Sequence, residues 1–417
     1  MSQPASDCCT DPSQKLLSVE QGRQRILDAV SCIGQPEQAS LREALDRILA
    51  QDVVSNVDVP PFANSAMDGY ALRHGDCADG EIELRVMGES FAGHPFAGQL
   101  GPGECVRIMT GAPVPPGADS VLMQEQVQRE GDRIRFDASR LRAGDNVRHA
   151  GEDSRAGQTV LEAGTRLGPA ELGLLASVGV AEVSVYRPLR VAFFSTGDEL
   201  VSLGTPLGPG QIYDSNRYTL HGLLRRAGVE LHDLGVIPDT REAVRAAFSQ
   251  AGAMADLVLT SGGVSVGEAD YVTDTLRELG QIDFWRMAMK PGKPLAFGHI
   301  GQAVFFGLPG NPVSAMVTFW QFVLPAIRKM GGEKPRPPLV IQARCRDQLR
   351  KAPGRMEFQR GILAPDPDGG WSVSTTGLQG SHVMRSMTLA NCFILLEAEN
   401  AGVEAGSIVR VQPFSDF

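Results

Sequence analysis

The segment Thr260–Tyr271 reads TSGGVSVGEADY and joins two regions of different character. Before it lies the short apolar run Ala255–Leu259, which is typical of a buried strand, and after it Tyr271–Leu279 has helical spacing. Glycines let a backbone approach a ligand closely, and exposed N–H groups in such a loop bind phosphate. The carboxylates of Glu268 and Asp270 follow at once, and such oxygens are ligands that Mg²⁺ prefers. The segment therefore predicts a loop that binds a phosphorylated ligand together with a divalent metal ion.

Apolar runs and helical patterns alternate on both sides of this segment, from Arg187 to Gly331. This alternation predicts an α/β domain built around a mostly parallel sheet. Ligands of such sheets bind at the carboxyl ends of the strands. The polar loops that follow Phe194, Leu259 and Phe306 each come at a predicted strand end. We therefore expect all three loops to lie at one edge of the sheet.

Two of these loops have their own chemical character. Ser195–Leu200 reads STGDEL and offers backbone amides with two carboxylates, although Asp and Gly are equally ordinary in a turn. Gly307–Ser314 reads GLPGNPVS and precedes a predicted long helix, Pro312–Met330. The N–H groups at the start of that helix can hold an anion, and the alternative is a plain tight turn with Pro at the first helical position.

A basic turn, Met289–Pro294, reads MKPGKP and carries Lys290 and Lys293 across a rigid Pro-Gly step. Two lysines so placed in an acidic chain are suited to bind phosphate or another oxyanion. The alternative is a solvated turn.

The remaining chain is predicted to add further domains, so that the fold class is multi-domain α/β plus β. Short strands between Gly/Pro turns predict a small β domain at 57–139, and similar runs predict a C-terminal β domain at 337–417. A mixed linker domain takes 15–56 and 140–186, with helices at Val19–Val30 and at Ser40–Ala50, where Ser40 and Glu43 have capping-box spacing. The central domain, 187–331, is predicted to be a three-layer α/β domain, and 1–14 a disordered tail.

Composition excludes several classes of function. The net charge of −10 disfavours general nucleic-acid binding, which needs a basic surface. No run approaches the ~18 apolar residues of a membrane helix, and the polar N-terminus has no signal-peptide pattern. The seven cysteines contain no C-x-x-C spacing, which favours reduced thiols and a cytoplasmic location. Serine-hydrolase, Rossmann and Walker A motifs are absent from the sequence.

Six segments together resemble the molybdopterin molybdenumtransferase family, to which one domain of gephyrin is similar. They occur in the family's order and are Asn64–Ala71, Met109–Ala112, Ser195–Leu200, Ser261–Tyr271, Lys290–Pro294 and Gly307–Ser314. The resemblance runs from about Val19 to the end of the chain. It implies an elongated homodimer whose active site lies between the α/β domain of one subunit and the small β domain of the other.

The resemblance also implies a reaction. Adenylylated molybdopterin binds, molybdate enters at its dithiolene sulfurs, and AMP is released by hydrolysis, with Mg²⁺ neutralising the phosphoanhydride. Transient contact with other cofactor-synthesis proteins is expected, and no contact with nucleic acid or membrane.

By the same resemblance, functional positions are carried over residue by residue. The catalytic positions are Asp68, Thr110, Asp153, Glu199, Asp239 and Asp270. The metal ligands among them are Glu199, Asp239 and Asp270. The positions expected to bind pterin, phosphate or molybdate are Ser261, Gly262, Gly263, Ser265, Lys290, Lys293, Pro309, Gly310, Asn311, Pro312, Arg360 and Ser381.

Two other functions remain open. A molybdopterin adenylyltransferase shares the Ser-Gly-Gly-Val type of loop, but it is usually one domain and would leave 55–150 and 339–417 without a purpose. A non-catalytic pterin-binding scaffold could lose its acidic site residues freely, whereas all of them are present here.

Overall fold

The computed structural model describes residues 16–78, 80–262 and 271–414, apart from the side chains of Tyr271 and Thr273. The predicted tail 1–14 and the predicted site residues Gly263, Ser265 and Asp270 lie outside the described residues. The chain forms two compact units. The smaller unit comprises Gln38–Leu45 and Leu49–Val185, and the larger unit comprises Met1–Glu37, Asp46–Ile48 and Tyr186–Phe417.

The elements of the first half follow in chain order. They are α1 (Val19–Ala29), β1 (Pro36–Ser40), β2 (Val53–Val54), β3 (Asn64–Ser65), β4 (Gly69–Leu72), β5 (Glu81–Ser90), β6 (Glu104–Ile108), β7 (Ser120–Met123), β8 (Gln128–Glu130), β9 (Arg133–Asp137), β10 (Val147–Arg148), β11 (Thr159–Leu161), α2 (Pro169–Ser177) and β12 (Glu182–Tyr186).

The second half continues with longer strands and helices. They are β13 (Arg190–Thr196), β14 (Leu200–Val201), β15 (Ile212–Tyr213), α3 (Ser215–Arg226), β16 (Glu230–Ile237), α4 (Arg241–Met254), β17 (Leu257–Ser261), α5 (Tyr271–Leu279), β18 (Gly280–Arg286), β19 (Met289–Lys290), β20 (Pro294–Ile300), β21 (Ala303–Leu308), α6 (Pro312–Thr318), a π-helical turn (Phe319–Val323), α7 (Leu324–Met330), β22 (Ile341–Cys345), β23 (Leu349–Arg350), β24 (Met356–Pro365), β25 (Trp371–Thr375), α8 (Met384–Leu389), β26 (Cys392–Leu396), β27 (Gly402–Val403) and β28 (Ile408–Pro413). The predicted alternation of strands and helices after Arg187 is confirmed.

The smaller unit is built on a six-stranded sheet in the order β7-β4-β6-β5-β9-β8. Pairing of β4 with β6 places Gly69 opposite Ile108, so the residues just outside these strands, Asp68 and Thr110, meet. The backbone N–H and the hydroxyl of Thr110 donate to Asp68 Oδ1 over 2.7 and 2.8 Å. These two bonds, the backbone bond first, lower the pKa of the Asp68 carboxyl. A sheet register thus holds a charged carboxylate at the end of two strands.

The predicted helix at Ser40–Ala50 is wrong. Ser40 ends β1, and only turn-type bonds follow it, such as Glu43 N–H to the Ser40 carbonyl. Asp46 has a positive φ of 62°, which breaks a helix. The N–H groups of Leu49 and Ala50 donate to the carbonyls of Thr165 and Ser184 instead. The capping-box spacing was a local signal, and pairing with distant backbone overrides it.

The larger unit contains a six-stranded sheet in the order β16-β13-β17-β21-β20-β18. The first four strands are parallel to one another, β20 runs antiparallel to β21, and β18 runs antiparallel to β20. Side chains of a strand alternate between faces, so Val191 and Phe193 point to one face and Ala192 and Phe194 to the other. The first face packs with α3 and α6 into one core, and the second packs with α4 and α5 into another. The carboxyl ends of β13, β17 and β21 therefore lie side by side, as predicted.

The predicted single helix Pro312–Met330 is interrupted by the π-helical turn, and Pro325 explains why. Proline has no N–H, so the carbonyl of Gln321, four residues earlier, lacks its ordinary helical donor. Arg23 of α1 supplies the substitute, with Nε donating to the Gln321 carbonyl over 3.2 Å and Nη2 to its side-chain oxygen over 2.7 Å. Burial lowers the pKa of Arg23. The N-terminal helix thus completes a hydrogen-bonding pattern that the helix after β21 cannot complete alone.

The C-terminal part of the larger unit is a closed barrel. The strands run in the order β24-β25-β22-β28-β26, and β26 pairs with β24 to close the ring. The short strand β19 lies in the chain between β18 and β20 of the α/β sheet, and it pairs with the start of β24, which joins the barrel to that sheet. Among the residues that the structure describes, no helix has the length and apolar character needed to cross a membrane.

We predict that Arg23→Leu lowers the free energy of unfolding by about 1–3 kcal/mol, because it leaves the buried Gln321 carbonyl without a donor. Thermal and denaturant unfolding measure the change. Arg25→Leu on the same helix, where the side chain is exposed, is the matched control and has little effect. In a Pro325→Ala background, which restores the missing N–H, Arg23→Leu is expected to lower the free energy of unfolding by a smaller amount. An equal decrease of this free energy in both backgrounds would contradict the explanation.

We predict that Thr110→Val raises the pKa of Asp68 partway toward its usual range, because the hydroxyl bond is lost while the backbone bond remains. Carboxyl-carbon NMR titration measures this pKa. In the wild type the depressed pKa favours folding above the unfolded-state pKa, and this contribution is lost as the pH falls through the folded-state pKa. Thr110→Ser keeps the hydroxyl and is expected to leave the Asp68 titration unchanged.

Candidate functional site

A cavity of about 700 Å³ opens at the carboxyl edge of the parallel strands, within the larger unit. Its walls come from the loops after β13, β16, β17 and β21, from the basic turn around β19, and from the barrel. The lining residues are Thr196, Gly197, Glu199, Asp239, Gly262, Met289, Lys290, Pro291, Gly292, Lys293, Pro294, Pro309, Gly310, Asn311, Ser314, Arg355, Gln379, Gly380 and Ser381. The structure thus brings most of the predicted α/β site residues to one place.

One wall of the cavity is acidic. Glu199 and Asp239 line it, and the N–H of Asp239 donates to Asp198 Oδ1 over 3.3 Å. Burial raises the pKa of Asp239, and the neighbouring charges of Asp198 and Glu199 raise it further. A site that crowds carboxylates in this way is stabilised by a bound cation. Gly197 leaves room for the Glu199 carboxylate, since a Cβ there would lie 2.5 Å from Glu199 Oε2.

The predicted metal site is only partly described. Within residues 16–78, 80–262 and 271–414, no three carboxylate, histidine or cysteine groups are close enough to hold a metal ion. Glu199 and Asp239 share the acidic wall, whereas the third predicted ligand, Asp270, lies outside the described residues. The metal assignment therefore stays a prediction, which the oxygen chemistry of this wall fits.

The floor of the cavity is held by Asn216, a residue that the sequence reasoning missed. Its Nδ2 donates over 2.7 Å to Ser261 Oγ and over 2.7 Å to the Gly310 carbonyl, so one amide ties two loops together. Gly262 lines the cavity, whereas the neighbouring Ser261 is only 3% exposed and faces Asn216. The available signal was a polar pair, Asp214 and Asn216, at the start of a helix next to this sheet.

The proline loop forms another wall, with Pro309, Gly310 and Asn311 facing the cavity and Pro312 at the first position of α6. The N–H of Val313 donates to the Ser381 carbonyl over 3.1 Å. This helix-start donor, which was expected to be available to an anion, is therefore used to attach the barrel loop. This bond holds Ser381, a predicted site residue, at the cavity wall.

The cavity also has a basic wall, which contains Lys290, Lys293 and Arg355. Lys290 Nζ lies 3.1 Å from Glu357 Oε1, and the Glu357 side chain is almost completely buried. Pairing of β19 with β24 places these two residues opposite each other. Arg355 precedes β24 and, like Ser314 and Gln379, was not predicted.

Arg360 does not line the cavity, which differs from the expected oxyanion contact. Its side chain is 1% exposed, and burial lowers its pKa to about 10. Nε donates to Ser386 Oγ and Nη2 to the Gly380 carbonyl, both over 3.1 Å. Arg360 therefore supports the barrel loop from inside, while Gly380 and Ser381 of that loop face the cavity.

Three predicted residues belong to the smaller unit and not to this cavity. Asp68 and Thr110 form the hydrogen-bonded pair described above. Asp153 is exposed in a turn, where its N–H donates to the Val59 carbonyl over 2.9 Å. The structure thus separates the predicted set into two groups.

Three family models match consecutive parts of the chain. Residues 17–179 match the MoeA N-terminal region (domain I and II), residues 192–329 match a probable molybdopterin binding domain, and residues 342–414 match the MoeA C-terminal region (domain IV).

Whole-chain relatives agree with these matches. Molybdopterin molybdenumtransferase of Haemophilus influenzae is 47% identical over 401 residues, which cover 96% of this chain and 99% of that protein. Gephyrin of Dictyostelium discoideum is 32% identical over 90% of this chain and 59% of that protein. The crystal structure of the molybdopterin biosynthesis moeA protein from Pyrococcus horikoshii superimposes with a TM-score of 0.83 at 29% identity, covering 96% of this chain and 100% of that one. The chain therefore belongs to the molybdopterin molybdenumtransferase family and is an enzyme of the transferase class.

Proposed function

We propose that this enzyme inserts molybdate into adenylylated molybdopterin, releasing AMP and forming molybdenum cofactor. One observation carries the proposal: the cavity at the carboxyl edge of the sheet is lined by the carboxylates of Glu199 and Asp239 and also by the cations Lys290, Lys293 and Arg355. Such a cavity suits a substrate with a phosphoanhydride, a cation bound to that anhydride and a second, oxyanionic substrate. The name of the Haemophilus influenzae relative, a molybdopterin molybdenumtransferase, supports the transfer of molybdenum to molybdopterin.

The acidic wall is proposed to hold Mg²⁺ through Glu199 and Asp239, with Asp270 as the third ligand. When bound, the ion supplies charge neutralisation at the phosphoanhydride. Carboxylate oxygens suit this hard cation, and the raised pKa of Asp239 reflects negative charge that a cation would offset. Crowding of these carboxylates is therefore useful for cation binding, although it opposes folding of the empty site.

The remaining walls are proposed to bind the two anionic substrates. Lys290, Lys293 and Ser381 bind phosphate or molybdate, while Gly262, Gly263 and Ser265 bind the pterin or its phosphate. Ser261, which the sequence also assigned to this ligand, holds the start of that loop through its bond with Asn216. In the reaction, the anhydride takes up one water as it is cleaved. The dithiolene sulfurs replace oxygen on molybdenum, and that oxygen leaves as water. The protein's part is to bring both anions to one edge of the sheet and to hold them there.

A homodimer with a shared active site is proposed as the working form. Asp68 and Thr110 are predicted catalytic residues, yet they belong to the smaller unit, and a second subunit is one way to bring such a pair to the cavity. Phe62 and Met67, in the same loop as Asp68, are 45% and 44% exposed. Exposed apolar side chains around a functional loop are typical of a surface that another subunit covers.

The two alternatives have less support. An adenylyltransferase needs only the α/β domain, whereas barrel residues Arg355, Gln379 and Ser381 form part of this cavity. A scaffold would not need to retain carboxylates that crowd one another.

The decisive experiment mixes the purified protein with adenylylated molybdopterin, molybdate and Mg²⁺ and measures AMP. Molybdate-dependent AMP release is expected. Absence of AMP release would refute the proposal, and consumption of ATP with molybdopterin would instead support the adenylyltransferase. Omission of Mg²⁺ is expected to abolish turnover.

We predict that Asp239→Asn lowers AMP release at least about tenfold and raises the Mg²⁺ concentration needed for half-maximal activity, because one charged ligand is lost. Steady-state assays across a Mg²⁺ series measure both quantities. Glu242→Gln on α4, an exposed residue outside the cavity, is the matched control and keeps wild-type activity. An unchanged Mg²⁺ requirement in Asp239→Asn would remove this residue from the metal site.

A further inference from the structure

Asn216 joins two loops of the cavity although it does not line the cavity itself. Its Nδ2 donates to Ser261 Oγ, at the end of β17, and to the Gly310 carbonyl in the proline loop. We propose that Asn216 is a positioning residue for the substrate: it sets the separation between the loop after β17 and the proline loop, so that both loops hold the same phosphorylated pterin. This inference rests on the proposed function, because it assigns a role within the same site.

The first turn of α3 fixes the backbone of Asn216 from both sides. Asp214 caps the helix, and its Oδ1 accepts from the Arg217 N–H over 3.0 Å. Arg217 Nε in turn donates to both carboxylate oxygens of Asp233 in β16, each over 2.9 Å. One turn farther along α3, Leu220 is completely buried in the core beneath the sheet. The position of the Asn216 amide therefore follows from the packing of α3 against the sheet.

The orientation of the Asn216 amide is determined by its partners. A backbone carbonyl can only accept, so the NH₂ group of the amide, and not its oxygen, must face Gly310. Within the described part of the chain, the buried Oδ1 of Asn216 has no hydrogen-bond partner. The amide therefore acts on the two loops through its N–H donors, and a side chain of the same size without those donors would lose the whole connection.

The sheet register explains why this connection matters for a ligand. Ser261 lies opposite Leu308 in the parallel pairing of β17 with β21. The N–H of Gly262 then donates to the Leu308 carbonyl over 3.2 Å, and the bond from Asn216 to Gly310 continues the connection beyond the strands. Gly262 and Gly310 both line the cavity, so a ligand that contacts both depends on the distance between them. A displacement of about 1 Å at such a site can reduce turnover by about 100-fold.

Kinetic constants separate this positioning role from a purely structural one. Asn216→Ala is expected to lower kcat/KM for adenylylated molybdopterin by about 10- to 100-fold, measured as AMP release well below the unfolding temperature. Asn216→Asp keeps the size but replaces the NH₂ donors with a carboxylate, and we expect it to lose as much. Leu224→Ala, at the other end of α3, is the matched control. It leaves a cavity in the core and lowers the unfolding temperature, but it is expected to keep the wild-type kinetic constants.

Binding of molybdopterin alone, measured anaerobically by isothermal titration calorimetry, gives a second result that needs no turnover. Asn216→Ala is expected to bind it at least about tenfold more weakly than the wild type, whereas Leu224→Ala binds it normally. If neither AMP release nor molybdopterin binding depends on Asn216, or if Leu224→Ala loses as much kcat/KM, the inference is overturned. If the wild type releases no AMP but its molybdopterin binding depends on Asn216, the proposed function fails while this inference stands.

Discussion

The parallel register of three neighbouring strands is the constraint on which the site depends. Ser195 of β13 lies opposite Ser261 of β17, and Ser261 lies opposite Leu308 of β21. Because these strands end level with one another, their loops emerge together at one edge of the sheet. A shift of one residue in any pairing would turn side chains from one core to the other, so both cores oppose it. Burial of apolar side chains on two faces therefore fixes where polar loops meet.

The cavity at this edge carries charges of opposite sign, and the fold positions the carboxylates and the cations differently. The carboxylates of Glu199 and Asp239 are left close together, at a cost that appears in the raised pKa of Asp239. The cation Lys290 is held by the buried Glu357, whose position follows from the pairing of β19 with β24. The fold thus keeps the repulsion between Glu199 and Asp239 where a cation is proposed to bind. Where the barrel joins the sheet, it is stabilised by the attraction between Lys290 and Glu357.

Patterns that repeat over many residues were sufficient to predict the α/β region from the sequence. Buried strands and amphipathic helices after Arg187 have strong periodicity, and glycine-rich loops mark their ends. The helix expected at Ser40–Ala50 failed because distant carbonyls, those of Thr165 and Ser184, pair with that backbone. Such partners leave no trace in the local pattern.

The same reason explains which site residues were predicted and which were not. Gly262, Lys293 and Asn311 lie in motifs with unusual local composition, and they line the cavity. Asn216 and Arg355 reach the site through the three-dimensional arrangement of several loops, and their immediate sequence offers no more than the polar pair Asp214 and Asn216 at a helix start. Arg360 was placed by resemblance alone, and burial along β24 shows that a cationic side chain near a cavity can support its wall without facing it.

The contact between Arg23 and the carbonyl of Gln321 has a consequence for how such chains diverge in evolution. Arg23 and Pro325 are about three hundred positions apart, yet Arg23 donates the hydrogen bond that Pro325 cannot donate to the Gln321 carbonyl. A lineage that loses the proline no longer needs the arginine, whereas one that loses the arginine first passes through a less stable intermediate. We therefore expect the proline to be replaced before the arginine, and the residues at the two positions to be correlated among homologous sequences.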